Sequence, residues 1–331
     1  MSESKLEQTR GKWKARGIIT GLGKDGAYSS WTSPSGRDCR KIKFGIKTSE
    51  NNFVYPELLG VKLDKVYAYN PNTKESKAFN FDDRENIPEG FKILECIINE
   101  DGDKNGYVGF DGTKNIYNNF NDGDSVFVSG EVRWQTFTGE QGEVTLQNFV
   151  IKYIRKLDEV DFENDKETAF FDQQLIIDST EVDKETNKLY LDGYIINRGD
   201  EVISTANSNN KLVVDLESKE KLAKKLSKTN FGDYIHIYGR ITNEVETVES
   251  DEVTDVEDDD WGSDEDPFEN NMVNNVVREL RITGVKKDED GNPIYKKKKY
   301  KEEDLFGEDD GNDGIDWDDT DEDPFGDIDD D

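Results

Sequence analysis

The chain has one histidine, His236, and two cysteines, Cys39 and Cys96. Two thiols make neither a Cys-based zinc site nor a disulfide framework, and two isolated cysteines fit a reducing compartment. Nothing frames His236 as part of a catalytic triad. Apolar residues are only 33% of the chain, and no run approaches the ~18 that a membrane span needs. The opening MSESKLEQTR is polar and lacks an apolar h-region, so no secretory signal is expected. No phosphate-binding P-loop, nucleophile elbow or metal-ligand cluster occurs. Gly21, Gly23 and Gly26 spell GxGxxG, but no helix follows to complete a dinucleotide site. Carboxylates are too numerous for any pair to stand out as acid and base. The expectation is a cytoplasmic, non-enzymatic protein without cofactor or metal.

Carboxylates are what the chain has in excess. It carries 75 acidic against 43 basic residues, for a net charge of −32. Residues 244–271 hold 14 Asp and Glu, and residues 302–331 hold 17, with no Lys or Arg in either. The remainder is balanced, 44 acids against 43 bases. The composition therefore describes a neutral folded body with two acidic, disordered appendages.

Within the body the pattern is β. Lys12–Ile19 and Arg40–Lys47 alternate in polarity. Short strand-like stretches and turn signals fill 55–110, and 113–120 reads as a short helix. A strand follows Gly123-Asp124, and Val144–Tyr153 is a further one. The second half repeats the plan with strands at Lys188–Asn197 and Lys211–Leu216 and a helix over 217–228, whose Leu222 and Leu226 share a face. Asn230-Phe231-Gly232-Asp233 echoes Asn119-Phe120 and Gly123-Asp124, Asp192-Gly193-Tyr194 echoes Arg16-Gly17-Ile18, and Val276–Val285 is the last strand. Five short strands with a helix between the third and fourth describe the OB-fold. The expected class is all-β with short helices: two tandem OB-fold-like Greek-key barrels plus disordered acidic segments. The expected boundaries are a disordered 1–10, a first barrel 11–157, a linker 158–172, a second barrel 173–288 with 244–271 as a loop insertion, a basic segment 289–301, and the tail 302–331.

Side chains on a strand alternate faces. Lys12, Lys14 and Arg16 fall opposite Trp13 and Ala15, and Lys41 and Lys43 fall opposite Ile42 and Phe44. Tyr28, Trp31, Arg37 and Arg40 occupy the intervening loop, and Arg133, Trp134 and Phe137 end the fourth strand. Tyr234, His236, Tyr238 and Arg240 make a stripe opposite Ile235 and Ile237. Cations track phosphates and rings stack on bases whatever their sequence, so these residues, His236 excepted, are the candidate nucleic-acid contacts. The plain alternative is a solvated lysine face over packed aromatics.

Both acidic segments hold Asp-Glu-Asp-Pro-Phe, at 264–268 and at 321–325, each after a tryptophan. Trp261, Pro267, Phe268, Trp317, Pro324 and Phe325 are therefore candidate partner contacts, as a short linear motif for a basic, apolar pocket. Asp304-Leu305-Phe306-Gly307 is a related piece. An OB body with an acidic Pro-Phe tail resembles the single-stranded DNA-binding proteins of bacteria and their phages, and the tandem plan and size are most like a large phage's replication protein. The resemblance implies a protein of the bacterial host's cytoplasm that coats single-stranded DNA in replication, recombination and repair and recruits partner proteins through the tail. Here Phe325 is followed by Gly-Asp-Ile-Asp-Asp-Asp rather than ending the chain. The rival reading is an acidic DNA mimic, or a replication-complex adaptor whose OB domains bind protein. The run Tyr295-Lys296-Lys297-Lys298-Lys299-Tyr300-Lys301 either grips phosphate or folds against the acidic tail. Residues 101–108 match the first eight positions of an EF-hand loop, but Gly112 replaces the glutamate of the twelfth, so a polar turn is expected.

Overall fold

The computed structural model describes residues 6–100, 102–139, 142–162, 169–247 and 274–307. The first half contains β1 (Gly11–Thr20), β2 (Tyr28–Thr32), β3 (Asp38–Lys43), β4 (Gly45–Lys47), β5 (Phe53–Val54), β6 (Pro56–Val61), β7 (Lys65–Asn70), β8 (Glu75–Asn80), β9 (Lys92–Ile93), β10 (Cys96–Glu100) and β11 (Asp103–Tyr107). Helix α1 (Gly109–Asn119) follows, then the long strands β12 (Ser125–Gly139) and β13 (Gly142–Lys156). The second half contains β14 (Ala169–Asp183), β15 (Lys188–Ile196), β16 (Val202–Ser204), β17 (Lys211–Asp215), α2 (Glu220–Leu226), β18 (Tyr234–Thr247), β19 (Asn274–Val285), β20 (Tyr295–Lys296) and α3 (Glu302–Phe306).

Strand pairing closes each half into one circuit. In the first, β1 pairs antiparallel with β4 and β12, β3 with β6, and β12 with β13, while β6 and β10 run parallel to β13. In the second, β14 pairs antiparallel with β15 and β18, β15 with β17, and β18 with β19, while β17 runs parallel to β19. Both circuits have the first–second–third–fifth–fourth order of an OB-type barrel, with a helix before the fourth strand. The alternation of β1 explains its place: Trp13, Ala15 and Ile19 are buried while Lys12 and Lys14 are exposed. Between β6 and β10 an insertion forms its own three-stranded sheet, β8–β7–β9, over Val66, Ala68, Phe81 and Ile93.

The repeated turn acts as a ruler between the halves. In each, an Asn amide donates to the carboxylate of an Asp three residues on: Asn121 to Asp124 at 2.9 Å and Asn230 to Asp233 at 3.0 Å. Gly123 and Gly232 supply the positive φ the turn needs, +93° and +80°. The Gly123 amide donates to the Ile19 carbonyl and the Gly232 amide to the Ile177 carbonyl, both at 2.9 Å. Ile19 and Ile177 are therefore equivalent, as are Trp13 and Phe171, six residues upstream of each. Trp13 and Phe171 are also partners in the antiparallel ladder of β1 with β14. A pseudo-two-fold axis passes between them.

This ladder makes one continuous antiparallel sheet, β13–β12–β1–β14–β18–β19, from two barrels. The hairpin arms lock it reciprocally. On the β12–β13 arm, Thr145 Oγ1 donates to the Ser204 carbonyl at 2.9 Å, and the Trp134 carbonyl accepts from Asn197 Nδ2 at 3.2 Å. On the β18–β19 arm, the Ile241 carbonyl accepts from Asn52 Nδ2 at 3.0 Å, and the Asn243 amide donates to Asn52 Oδ1 at 2.7 Å.

Several sequence expectations need correction. Strand β14, to which no expected strand corresponds, begins inside the expected linker. The Arg16-Gly17 and Asp192-Gly193 echo joins non-equivalent strands, the first of one circuit and the second of the other. Residues 6–10 are held rather than disordered: Leu6 is buried beside Leu305, and the Ile196 amide donates to Thr9 Oγ1 at 2.8 Å. The expected tail begins with α3, which buries Leu305. Asp103–Tyr107, in the calcium-loop-like run, is strand β11, paired with β10. The first helix begins earlier than expected, at Gly109–Asn119, and the second, Glu220–Leu226, lies inside the expected range and is shorter.

Candidate nucleic-acid interface

One face of the joined sheet is turned outward, and a cavity of about 710 Å³ opens on it across the pseudo-two-fold axis. Five of its strands give it cations and rings: Lys152 from β13, Phe127 from β12, Lys12 and Lys14 from β1, Phe170 from β14 and Tyr238 from β18, with Lys286 just beyond β19. In register, Lys12 lies between Glu131 and Asp172, and Lys14 between Ser129 and Phe170. Cations cover the rings in this state. Lys14 Nζ stands 5.6 Å from the Phe170 centroid, and the Arg155 guanidinium stands 5.6 Å from that of Phe127. Such contacts are weak when exposed, so a base can replace the cation on the ring while the displaced cation meets the adjoining phosphate.

The sheet's curvature here rests on two equivalent bulges. Between Ser129 and Gly130 the register skips Lys152, and between Tyr238 and Gly239 it skips Thr283. A Cβ on Gly130 would lie 1.8 Å from the Val150 carbonyl oxygen, and one on Gly239 would lie 1.9 Å from that of Arg281. Only glycine fits these close backbone approaches, which bend the strands over the cavity.

Asp172 sets the electrostatics at the centre. It accepts from Lys286 Nζ at 3.3 Å and lies 3.2 Å from His236 Nε2. Burial opposes ionisation of this carboxyl, but His236 and Lys286 together outweigh it and hold its pKa below the usual value. A fixed anion thus sits among the lysines.

The face continues past Lys12 and Glu131 into a second cavity of about 730 Å³, whose walls include Arg10, Arg133, Phe137 and Arg198. Arg133 and Phe137 are exposed there, Phe137 by 52%. Lys12, Lys14, Arg133, Phe137, Tyr238 and Arg240 are thus gathered on one extended face. Arg16 shares it, with Nη2 donating to the Glu159 carbonyl at 3.3 Å.

The other candidates are placed elsewhere. Strand β3 pairs with β2 and β6, not with β1, so Lys41 and Lys43 are not on a strand adjoining Lys12 and Lys14. Lys41 pairs with Glu57 at 2.9 Å, and Trp31, Arg37 and Lys43 are exposed on that separate patch. Arg40 is spent internally: its guanidinium lies 3.7 Å from the Phe110 centroid, and its Nη1 lies 3.7 Å from Asp111. Tyr28 stacks on Tyr117 at 4.8 Å. Trp134 is 1% exposed and donates its indole N–H to Gln173 Oε1 at 3.0 Å, across the junction of the halves. It is a core residue and presents no ring to solvent. Tyr234 is also buried, 4.3 Å under Lys299, and its burial pushes the phenol pKa up to about 12. The basic run packs on β18 and the N-terminal segment, with Lys299 2.5 Å from Glu7. Trp261, Pro267, Phe268, Trp317, Pro324 and Phe325 lie outside the described residues.

Sequence reasoning missed Phe127, Lys152, Phe170, Lys286, Arg10 and Arg198. Phe127 had a readable signal, because it alternates with Ser125 and Ser129 on the side opposite Val126 and Val128.

A family model described as YorF matches residues 28–309. The chain belongs to the YorF family. No curated protein sequence matches this YorF-family chain. Among solved structures, it is similar to the wild-type single-stranded DNA-binding protein of Thermus aquaticus, at 10% identity and a TM-score of 0.38, covering 72% of this chain and 87% of that one. A deletion and point mutant of the same Thermus protein gives 8% identity and a TM-score of 0.37, covering 72% and 89%. Among the described residues, no helix is long and apolar enough to cross a membrane.

Proposed function

We propose that this chain is a non-catalytic binder of single-stranded DNA, and that the strand lies along the outer face of the joined sheet. The observation that carries the reading is the interleaving of Lys12, Lys14, Lys152 and Lys286 with Phe127, Phe170 and Tyr238 over one cavity. Phosphates need cations and splayed bases need rings, and here both recur on one face. The long arms and the second cavity extend the track toward Arg133 and Phe137. In this reading the acidic segments have two roles. Their Trp and Pro-Phe motifs recruit proteins of replication, recombination and repair, and their carboxylates compete with DNA for the same cations.

The test is a titration of the full chain with a dT oligonucleotide at two salt concentrations. Binding should weaken with salt, with a slope of roughly 0.7 per phosphate neutralised. The Lys12→Glu, Lys14→Glu double variant should lower both affinity and slope. Absence of binding at low salt would sink the reading and leave the acidic adaptor or DNA mimic in its place.

A further inference from the structure

We infer that the shared face fixes the direction of the strand it holds, so that a bound single strand's 5′ and 3′ ends leave by different, set ends of the groove. This rests on the proposed binding of single-stranded DNA and goes beyond it. A strand crossing a true two-fold site can be turned end for end at no cost, because every nucleotide then meets the same partner. The axis between Trp13 and Phe171 creates such matched positions. Their chemistry, however, differs. By the equivalence of Ile19 with Ile177, Lys14 matches Asp172 and Lys12 matches Phe170. By the equivalent bulges, Ser129 matches Tyr238 and Lys152 matches Thr283. A phosphate held over Lys14 in one direction falls over Asp172 in the other. A base resting on Phe170 in one direction falls over Lys12 in the other.

The two ends of the groove also differ. Past Lys12 it runs on into the cavity walled by Arg10, Arg133 and Arg198. Past Arg16 it meets the segment after β13. There the Glu159 carbonyl accepts from Arg16, and the Val160 amide donates to Ser125 Oγ at 3.1 Å, with Asp158, Glu159 and Asp161 exposed. The first end sets Lys12 and its three arginines against Glu131 and Glu201, and the second sets Arg16 and Arg155 against Asp158, Glu159 and Asp161, so a polyanion is drawn more strongly to the first. Exchanging attraction for repulsion at even one phosphate favours one direction on the order of tenfold.

The experiment uses the full chain with Glu201→Cys as a single label site at the arginine end. Glu201 is exposed, whereas Cys39 and Cys96 are buried and resist labelling. A donor there is read against two dT oligonucleotides of about 20 nucleotides, one with its acceptor at the 5′ end and one at the 3′ end. One oligonucleotide should give strong transfer and the other weak transfer. Neutralising the central pair, as Lys14→Gln with Asp172→Asn, should narrow the difference. Equal transfer from two tightly bound oligonucleotides overturns the directional groove while leaving DNA binding intact. If neither oligonucleotide binds, the functional reading falls and takes this inference with it.

Discussion

The two barrels share strand order, turn and bulge, yet only the first presents a lysine ridge. On β1 the outward positions near the axis hold Lys12 and Lys14, and on β14 they hold Phe170 and Asp172. The inward positions hold Trp13 and Ala15 against Phe171 and Gln173, all of them buried. The turn aspartates show the same divergence. Asp124 is half-buried and pairs with Lys156 at 2.9 Å. Asp233 is buried and accepts from the Tyr295 hydroxyl and, at 2.8 Å, from the Lys298 amide. What makes the circuit close is kept in both halves: the Asn-to-Asp turn and the bulge glycine. What faces outward has diverged, which is where two copies of one scaffold are free to divide a task.

The comparison breaks first at the junction. Trp134→Ala removes a buried ring whose indole bonds Gln173 of the other half, so we expect a loss of about 3–5 kcal/mol in thermal unfolding. A small change in melting temperature with a large loss of DNA affinity would return Trp134 to the binding face. The bulges come next. Gly130→Ala and Gly239→Ala should each cost about 1–3 kcal/mol, and similar amounts if the halves are equivalent. Chemical denaturation of both variants reads this directly, and one neutral substitution would deny the equivalence.

The faces themselves are sharpened by smaller effects. Tyr238→Ala should weaken single-strand binding by about 1–3 kcal/mol, and Trp31→Ala, on the separate β2–β3–β6 patch, by less. Lys12→Glu should lower the salt slope by about 1, whereas Lys43→Glu should leave it unchanged. The reverse order in a fluorescence titration would move the groove to the first barrel's own sheet. The smallest effect belongs to Asp172. Asp172→Asn should tighten DNA binding at neutral pH by removing a fixed anion from the groove and releasing Lys286 to the phosphates. Its carboxyl titrates lower in the folded chain than in the unfolded one. It therefore stabilises the fold above about pH 4, its unfolded value, and that contribution fades as pH falls through the lower folded value. Melting curves of the native chain and Asp172→Asn should accordingly converge in acid.

Local chemistry was legible in the sequence and long-range pairing was not. The Gly-Asp pieces mark the same turn in both halves because the turn is made by its own side chains, whereas Asn119-Phe120 is out of step with Asn230-Phe231: the turn's asparagine is Asn121 in the first half and Asn230 in the second. The alternation of β1 gave its two faces correctly, and the same rule applied to β12 places Arg133 outward and Trp134 inward. Strand β14 is hard to read from the sequence because Gln173, a polar residue, is 1% exposed. Its amide is satisfied by the Gln174 carbonyl and the Trp134 indole, partners that only the fold supplies. The separation of Lys41 and Lys43 from Lys12 and Lys14 likewise depends on which strand β1 chooses as neighbour, and no local pattern records that choice.

The ladder between β1 and β14 also governs the order in which the chain matures. Strand β1 leaves the ribosome well before β14, so one edge of its Gly11–Ala15 stretch waits for a partner that begins at Ala169. The preceding residues wait longer still, since Glu7 finds Lys299 and Leu6 finds Leu305 only after both barrels have been made. Residues 6–15 are therefore made before the first barrel and satisfied after it. During translation it presents a bare strand edge, the kind of surface that pairs with the wrong neighbour.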